Sequence, residues 1–160
     1  MFSKYMPLSR IVMIMAVAAL VMGIVFIYQG VSKANMITEQ MRVENVSTSV
    51  FLGGNATAGD IIDSAGEAQR AADTVKEHRH GLAASYAALG RYNPGNATHL
   101  QYTQALNLEN YLYMGVLSLG FTQAVTVLGV FMILVGIALM AVWAAIRNKK
   151  KEAAVKVKSS

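Results

Sequence analysis

The sequence predicts an all-α membrane protein, built as a two-helix transmembrane hairpin with a small, mainly helical extracytoplasmic cap. Three observations support this prediction: two long uncharged segments, basic residues concentrated in both terminal tails, and helical patterning between the segments. The 160-residue chain is 54% hydrophobic and only 14% charged, whereas soluble domains contain about 25% charged residues. This composition disfavours an ordinary soluble protein and excludes disorder for most of the chain.

Two segments of the chain are long enough and apolar enough to cross a membrane. No formal charge lies among the 22 residues between Arg10 and Lys33, or among the 37 residues between Glu109 and Arg147. A helix needs about 20 apolar residues to cross the hydrocarbon core of a bilayer. The chain is therefore predicted to contain a cytoplasmic N-terminal tail (1–10), a first transmembrane helix (11–30), an extracytoplasmic segment (31–112), a second transmembrane helix (113–145) and a basic cytoplasmic tail (146–160).

The first apolar segment has a second interpretation, as a cleaved signal peptide. A basic start precedes it, and Ser32-Lys33-Ala34 resembles a cleavage site. However, the apolar run is longer than the usual core of a signal peptide, and no strong Ala-x-Ala motif follows it. We therefore favour a retained transmembrane helix.

The distribution of basic residues predicts the orientation of the chain. The two tails carry eight Lys and Arg residues and a net charge of +7, while the segment between the spans sums to −2. By the positive-inside rule, both tails face the cytoplasm. We expect the protein to lie in the plasma (inner) membrane. The basic C-terminal tail is expected to attract anionic lipid. No basic stripe is interleaved with aromatic residues, so nucleic acid is not an expected partner.

A capping box predicts the start of a helix within the extracytoplasmic segment. Ser64 and Glu67 stand three residues apart, the spacing at which two such side chains cap a helix N-terminus. We expect this helix to run from about Ala65 to His80, with Gly81 as a candidate stop. Alanines at helical spacing give it one face of small residues, which suits close contact with another helix.

The rest of the extracytoplasmic segment gives weaker signals. The first helix is expected to continue beyond the membrane to about Met41, because apolar residues recur there at helical spacing. Residues 46–52 are β-branched and aromatic, and they fit either a short strand or extended chain. The sequence Asn93-Pro94-Gly95-Asn96 predicts a turn, and a last helix is expected from about Thr98 into the second span. Residues 148–160 are expected to be disordered or a frayed helix end.

Small residues at helical spacing predict close packing of the membrane helices. The candidates are Ala19 and Gly23 in the first span, and Gly120, Ala124, Gly129 and Gly136 in the second. Gln123 is costly to expose to lipid, so we expect it at a helix–helix contact. The sequence leaves open whether these residues join the two spans of one chain or several copies of it. Neither span contains an Asp, Glu, Lys, Arg or His residue, which argues against an ion pump or a proton relay.

Three histidines suggest a metal site as a minor alternative. His78 and His80 lie near the end of the predicted helix, and His99 follows in the next one. Because residues two apart do not share a helix face, a charged helix end, favoured by the helix dipole, is the preferred interpretation. No other cofactor is predicted.

Three N-x-[ST] sequons occur in the extracytoplasmic segment, at Asn45, Asn55 and Asn96. This is the side of the membrane on which glycosylation takes place. The asparagines are acceptors if the host glycosylates, and ordinary loop residues if it is a bacterium that does not. We favour the second interpretation.

The chain resembles small two-span membrane proteins of actinobacteria and related bacteria, from about residue 10 to 145. The residues that carry this resemblance are Asp63-Ser64-Ala65-Gly66-Glu67-Ala68-Gln69, Ala72-Asp73, Glu77-His78, Tyr92-Asn93-Pro94, Leu106-Asn107-Leu108 and Gly120-Phe121-Thr122-Gln123. The resemblance implies no established activity. Some similar proteins carry the label aromatic ring-opening dioxygenase, but such an enzyme needs an iron site in a substrate pocket. We carry over neither that label nor any functional residue.

These observations favour a non-enzymatic membrane protein that works through helix–helix contacts. Its expected partners are the lipid bilayer and other membrane protein subunits or further copies of itself, and its expected role is that of an accessory or self-assembling envelope subunit. An extracytoplasmic sensor or ligand-binding module that works with a separate signalling partner is the alternative. No catalytic motif occurs in the sequence, so an enzyme ranks third.

Overall fold

The structure, a computed structural model, describes residues 8–44, 46 and 61–158. These residues form three α-helices, α1 (Leu8–Val43), α2 (Ala65–Leu82) and α3 (Ala97–Lys158), and a short 3-10 helix at Ala87–Leu89. The two long apolar helices, α1 and α3, pack against each other, and the shorter α2 lies between them in the chain. The prediction of an all-α chain with two long apolar helices is confirmed.

Contacts within the chain define two compact units. The first, called here the apolar unit, contains α1 up to Val31 and α3 from Ala124 onward. The second, the intervening unit, runs from Ser32 to Gln123. About three turns of α3 that the sequence analysis assigned to the second span therefore belong to the intervening unit.

Glycines set the contact between α1 and α3 in the apolar unit. A Cβ atom added to Gly23 would lie 2.7 Å from the carbonyl oxygen of Gly129, and one added to Gly129 would lie 2.8 Å from the carbonyl oxygen of Gly23. At Gly136, an added Cβ would lie 2.7 Å from Cγ of Leu20 and 3.1 Å from the carbonyl oxygen of Ala16. The two backbones approach this closely only because these residues have no side chain.

The remaining faces of both helices in the apolar unit are largely exposed. Each long helix contains an 18-residue window with a mean hydropathy of 2.8, yet only 17% of that window is buried in α1 and 11% in α3. A core helix of a soluble protein would be mostly buried. Both helices are therefore long, apolar and largely exposed, which is compatible with membrane spans.

Helix α2 begins at Ala65, as the capping box predicts. The Ser64 hydroxyl accepts a hydrogen bond from the Glu67 backbone N–H at 3.3 Å, while the Glu67 carboxylate accepts one from the Asp63 N–H at 3.2 Å. Gly81 does not stop the helix, which ends one residue later at Leu82. At position 83, where the helix ends, the backbone is extended. This conformation requires no glycine, so the end of α2 does not depend on Gly81.

The core of the intervening unit forms around the small-residue face of α2. This face consists of Ala68, Ala71, Ala72 and Val75, which are all buried. Met41 of α1, Ile62 and Leu112 of α3 pack against it. Because alanine side chains are small, the backbone of α2 can lie close to both long helices.

Two other expectations concern the C-terminal tail and residues 46–52. Helix α3 continues to Lys158, whereas the sequence analysis expected disorder or fraying from residue 148. Lys, Ala and Glu, which dominate this tail, are good helix formers, and this preference accounts for the continued helix. The possible strand at 46–52 lies outside the described residues except for Val46.

Replacing Gly129 by alanine should destabilise the apolar unit. The new methyl group would meet the backbone of α1, so we expect Gly129→Ala to lower the free energy of unfolding by about 1–3 kcal/mol. Gly120→Ala is the matched control, since its new Cβ would lie 3.9 Å from Ala65 Cβ, an ordinary contact. Thermal unfolding in detergent, followed by circular dichroism, measures both. Equal stability of the two variants would contradict the proposed contact.

Candidate functional site

A buried ion pair joins α2 to α3 inside the intervening unit. The Nε–H of Arg79 donates a hydrogen bond to the Glu109 carboxylate at 2.7 Å, and the two side chains are only 9% and 8% exposed. The Nη1 group of Arg79 also donates to the hydroxyl of the buried Tyr102. The guanidinium carbon lies 4.9 Å from the centroid of the Tyr102 ring. These three residues form what we call the arginine cluster.

Helical register explains why these charged side chains are buried. Arg79 follows Val75 by four residues, so it continues the small-residue face of α2 that packs into the core. Glu109 precedes the buried Leu112 by three residues and follows Tyr102 by seven, so it lies on the buried face of α3. Two charges on core faces are tolerated because each has the other as a partner.

The ion pair also stabilises the charged form of Arg79. Its hydrogen bond to Glu109 raises the pKa of the Arg79 guanidinium above its ordinary value, and burial opposes this effect without cancelling it. Because the folded-state pKa is raised, the stabilisation from charged Arg79 is fully present below the pKa of arginine in the unfolded chain. It is lost only at a higher pH, so Arg79 adds no pH dependence near neutrality.

The three histidines are not grouped together in the part of the chain that the structure describes. His78 and His80 are exposed, whereas His99 is buried and its Nδ1 atom accepts a hydrogen bond from the Asn93 backbone N–H at 2.9 Å. Among residues 8–44, 46 and 61–158, no group of three or more His, Asp or Glu side chains is placed to hold a metal ion. His99 instead anchors the turn before α3, and the ring of Tyr92 lies 6.1 Å from its ring.

Of the three sequon asparagines, the structure describes Asn96. Its side-chain oxygen accepts a hydrogen bond from the Thr98 backbone N–H at 2.9 Å, which caps the N-terminus of α3. The helix therefore starts at Ala97, one residue before the predicted start. Asn45 and Asn55 lie outside the described residues.

The candidate packing residues separate into two groups. Ala19, Gly23, Gly129 and Gly136 are buried in the apolar unit. Gln123 and Ala124 are exposed, and Gly120 is half-buried. Gln123 was expected at a helix–helix contact, and within the described chain it is exposed.

The sequence motifs did not predict the arginine cluster. Arg79 stands between His78 and His80, in the segment interpreted as a charged helix end. The signal that identifies it is its register with the alanine face, since a charged residue at a core position requires a buried partner. Glu109 is likewise a charged residue at a core position, on α3. It is the last charged residue before the long apolar segment.

Comparisons with known proteins identify no family for this chain. No protein-family model matches the chain, and searches of curated proteins and of solved structures find no match either. The resemblance to two-span membrane proteins of actinobacteria stays a prediction.

Removing one partner of the buried ion pair should be far more damaging than removing both. Arg79→Met leaves the Glu109 carboxylate buried without its counter-charge, and we expect a loss of about 3–5 kcal/mol in the free energy of unfolding. Most of this loss should be recovered when Glu109→Leu is added to Arg79→Met. Chemical unfolding in detergent, followed by circular dichroism, measures the difference.

The control for this experiment is Arg70→Met, which removes an exposed arginine from the same helix. It should change the stability by less than about 0.5 kcal/mol. A loss in Arg79→Met no larger than in Arg70→Met would show that the buried pair does not hold α2 in place.

Proposed function

We propose that this chain is a non-enzymatic, two-pass integral membrane protein that acts as an accessory or self-assembling subunit of the cell envelope. One observation carries the proposal. The two long apolar helices meet along one narrow face lined by Gly23, Gly129 and Gly136, and most of their remaining apolar surface is exposed. Lipid and other membrane helices are the surroundings that suit such a surface.

The dimensions of the apolar unit support two membrane spans. The part of α1 from Leu8 to Val31 contains 24 residues, which extend about 36 Å along the helix axis. This length exceeds the roughly 30 Å of a bilayer's hydrocarbon core. On the positive-inside rule, both termini face the cytoplasm and the intervening unit is extracytoplasmic.

Contacts made by α1 support its retention as a membrane helix over its removal as a signal peptide. Gly23 lies against the backbone of Gly129, and Met41 is part of the core of the intervening unit, where only 2% of its surface is exposed. Cleavage after Ala34 would remove the first of these contacts and leave Met41 only six residues from the new N-terminus.

Cysteine labelling tests the proposed topology directly, because the native chain contains no cysteine. Ala84 and Asn148 are both exposed and lie on opposite sides of the second proposed span. In right-side-out membrane vesicles, a membrane-impermeant maleimide should label Ala84→Cys and leave Asn148→Cys unlabelled. In inverted vesicles, the pattern should be reversed.

Two results would count against this topology. Labelling of both cysteines in right-side-out vesicles would mean that α3 does not separate them across the bilayer. A pattern opposite to the expected one would retain the span but invert the orientation.

An exposed apolar face in the intervening unit supports a role in assembly. Met114, Leu117 and Phe121 are 63%, 68% and 71% exposed, and their spacing of three and four residues places them on one side of α3. We call this surface the α3 outer face. Large apolar side chains grouped at a surface are typical of an interaction site.

The level of the α3 outer face argues that another protein, not lipid chains, covers it. Met41 lies against Gly115, and the two helices run in opposite directions, so Lys33 lies level with about residue 123 of α3. The outer face is therefore level with a part of α1 that carries exposed charges, among them those of Glu39 and Arg42. Charged side chains are excluded from the hydrocarbon core, so this level lies outside it.

Disulfide crosslinking in native membranes tests the assembly role. If copies of the chain meet through the α3 outer face, Leu117→Cys should form a disulfide-linked dimer under mild oxidation. Lys76→Cys, an exposed position on α2, is the matched control and should not crosslink. A larger complex recovered with a C-terminal tag, without a Leu117→Cys dimer, would favour the accessory role. Recovery of the chain alone and uncrosslinked would contradict both roles.

A further inference from the structure

The exposed side of α3 in the intervening unit carries no formal charge. Among residues 97–123, all of which the structure describes, Glu109 is the only Asp, Glu, Lys or Arg, and it is buried. The other two helices of this unit carry exposed charges, among them Lys33 and Glu39 on α1 and Lys76 on α2. Because the centres of protein interfaces are depleted of charged residues, α3 offers the surface of this unit that best suits contact with protein.

The α3 outer face continues toward the start of the helix as a regular row of exposed residues. Its members are Asn107, Asn110, Met114, Leu117 and Phe121, all of them exposed. They follow one another at spacings of three, four, three and four residues, which is the a and d pattern of a two-stranded coiled coil. We call these five residues the α3 seam. It presents two amides on one turn and three large apolar side chains on the next two turns.

Membrane insertion restricts which surfaces of two copies can meet. Copies that insert with the same topology have parallel α3 helices, and each residue lies at the same depth in both copies. A side chain near the contact therefore faces the same side chain of the second copy. Apolar groups satisfy this condition, and so does an amide, which both donates and accepts hydrogen bonds. Like charges would repel each other, and the α3 seam contains none.

We propose that the α3 seam binds the α3 seam of a second copy, as a parallel, in-register contact in which the Asn107 amides of the two copies hydrogen bond to each other. Asn107 lies at an a position, together with Met114 and Phe121, and an asparagine at such a position specifies register and the number of strands. This inference rests on the proposed two-pass topology and names the partner of the α3 outer face as a second copy of the chain.

Co-purification of two differently tagged copies of the full-length protein tests the pairing. The copies are expressed together and extracted from native membranes in mild detergent, and wild-type copies should be recovered together. Asn107→Asp in both copies, or Asn107→Lys in both, places like charges against each other and should lower the yield of the second tag at least about tenfold. Gln101→Glu is the matched control, an exposed amide of the same helix outside the a and d pattern, and it should leave the yield unchanged.

A charge-swap experiment tests whether the two side chains at position 107 face each other. One copy carries Asn107→Asp and the other carries Asn107→Lys, so that an in-register contact brings opposite charges together. This combination should restore the yield to at least half of the wild-type value, which would also show that both variants fold. Asn107→Asp combined with Gln101→Lys should restore nothing. Failure of the Asp and Lys combination to restore co-purification would overturn the in-register pairing.

The remaining outcomes separate this inference from the topology on which it rests. Wild-type copies that do not co-purify, in a protein whose cysteine labelling shows the expected topology, would overturn the pairing and leave the accessory role standing. Co-purification that neither Asn107→Asp nor Asn107→Lys reduces would mean that the copies meet at another surface, and the α3 seam would be rejected while self-assembly is retained. A failed topology in the labelling experiment would remove the common depth of the two seams and overturn both proposals.

Discussion

The backbones of α1 and α3 meet at Gly23 and Gly129, and the arrangement of the apolar unit follows from this contact. In a lipid environment, burial of apolar side chains contributes little to helix association, because lipid chains are as apolar as the helices. Close approach of the two backbones supplies dispersion contacts that bulky side chains would prevent. The same contact fixes the register of the helices, which places Gly136 against Ala16.

The intervening unit depends on a different balance of forces. Its α2 face is made largely of alanines, which bury little area and offer few features that would fix the rotation of one helix on another. Pairing of Arg79 with Glu109 supplies the missing specificity, since a rotation of α2 would leave two buried charges without partners. The Tyr102 hydroxyl accepts a hydrogen bond from another N–H group of the guanidinium, and the Tyr102 ring packs against the same guanidinium. We regard the arginine cluster as the feature that selects one position for α2.

Local signals in the sequence were sufficient to predict the helices but not the partners of their side chains. Ser64 and Glu67 predicted the start of α2, and Asn96 lies in the predicted turn from which α3 starts, because capping depends on residues only three apart. The partner of Arg79 lies 30 residues away, so register shows that Arg79 needs a buried partner without showing which helix provides it. The C-terminal tail was expected to be disordered or a frayed helix end, whereas the structure describes a helix through Lys158, in line with the helix preference of Lys, Ala and Glu.

Glycine spacing alone also failed to distinguish two kinds of surface. Gly120 and Ala124 stand four residues apart, as Ala19 and Gly23 do. An added Cβ at Gly120 would lie 3.9 Å from Ala65 Cβ, an ordinary contact, while one at Gly23 would strike the backbone of α3. The difference lies in the side of α3 that faces α1, which no short motif records. Gly120 is half-buried and faces Ala65 of α2, whereas Ala124 is exposed. The position of α1 therefore places Gly129 and Gly136 in an internal contact and leaves Ala124 outside it.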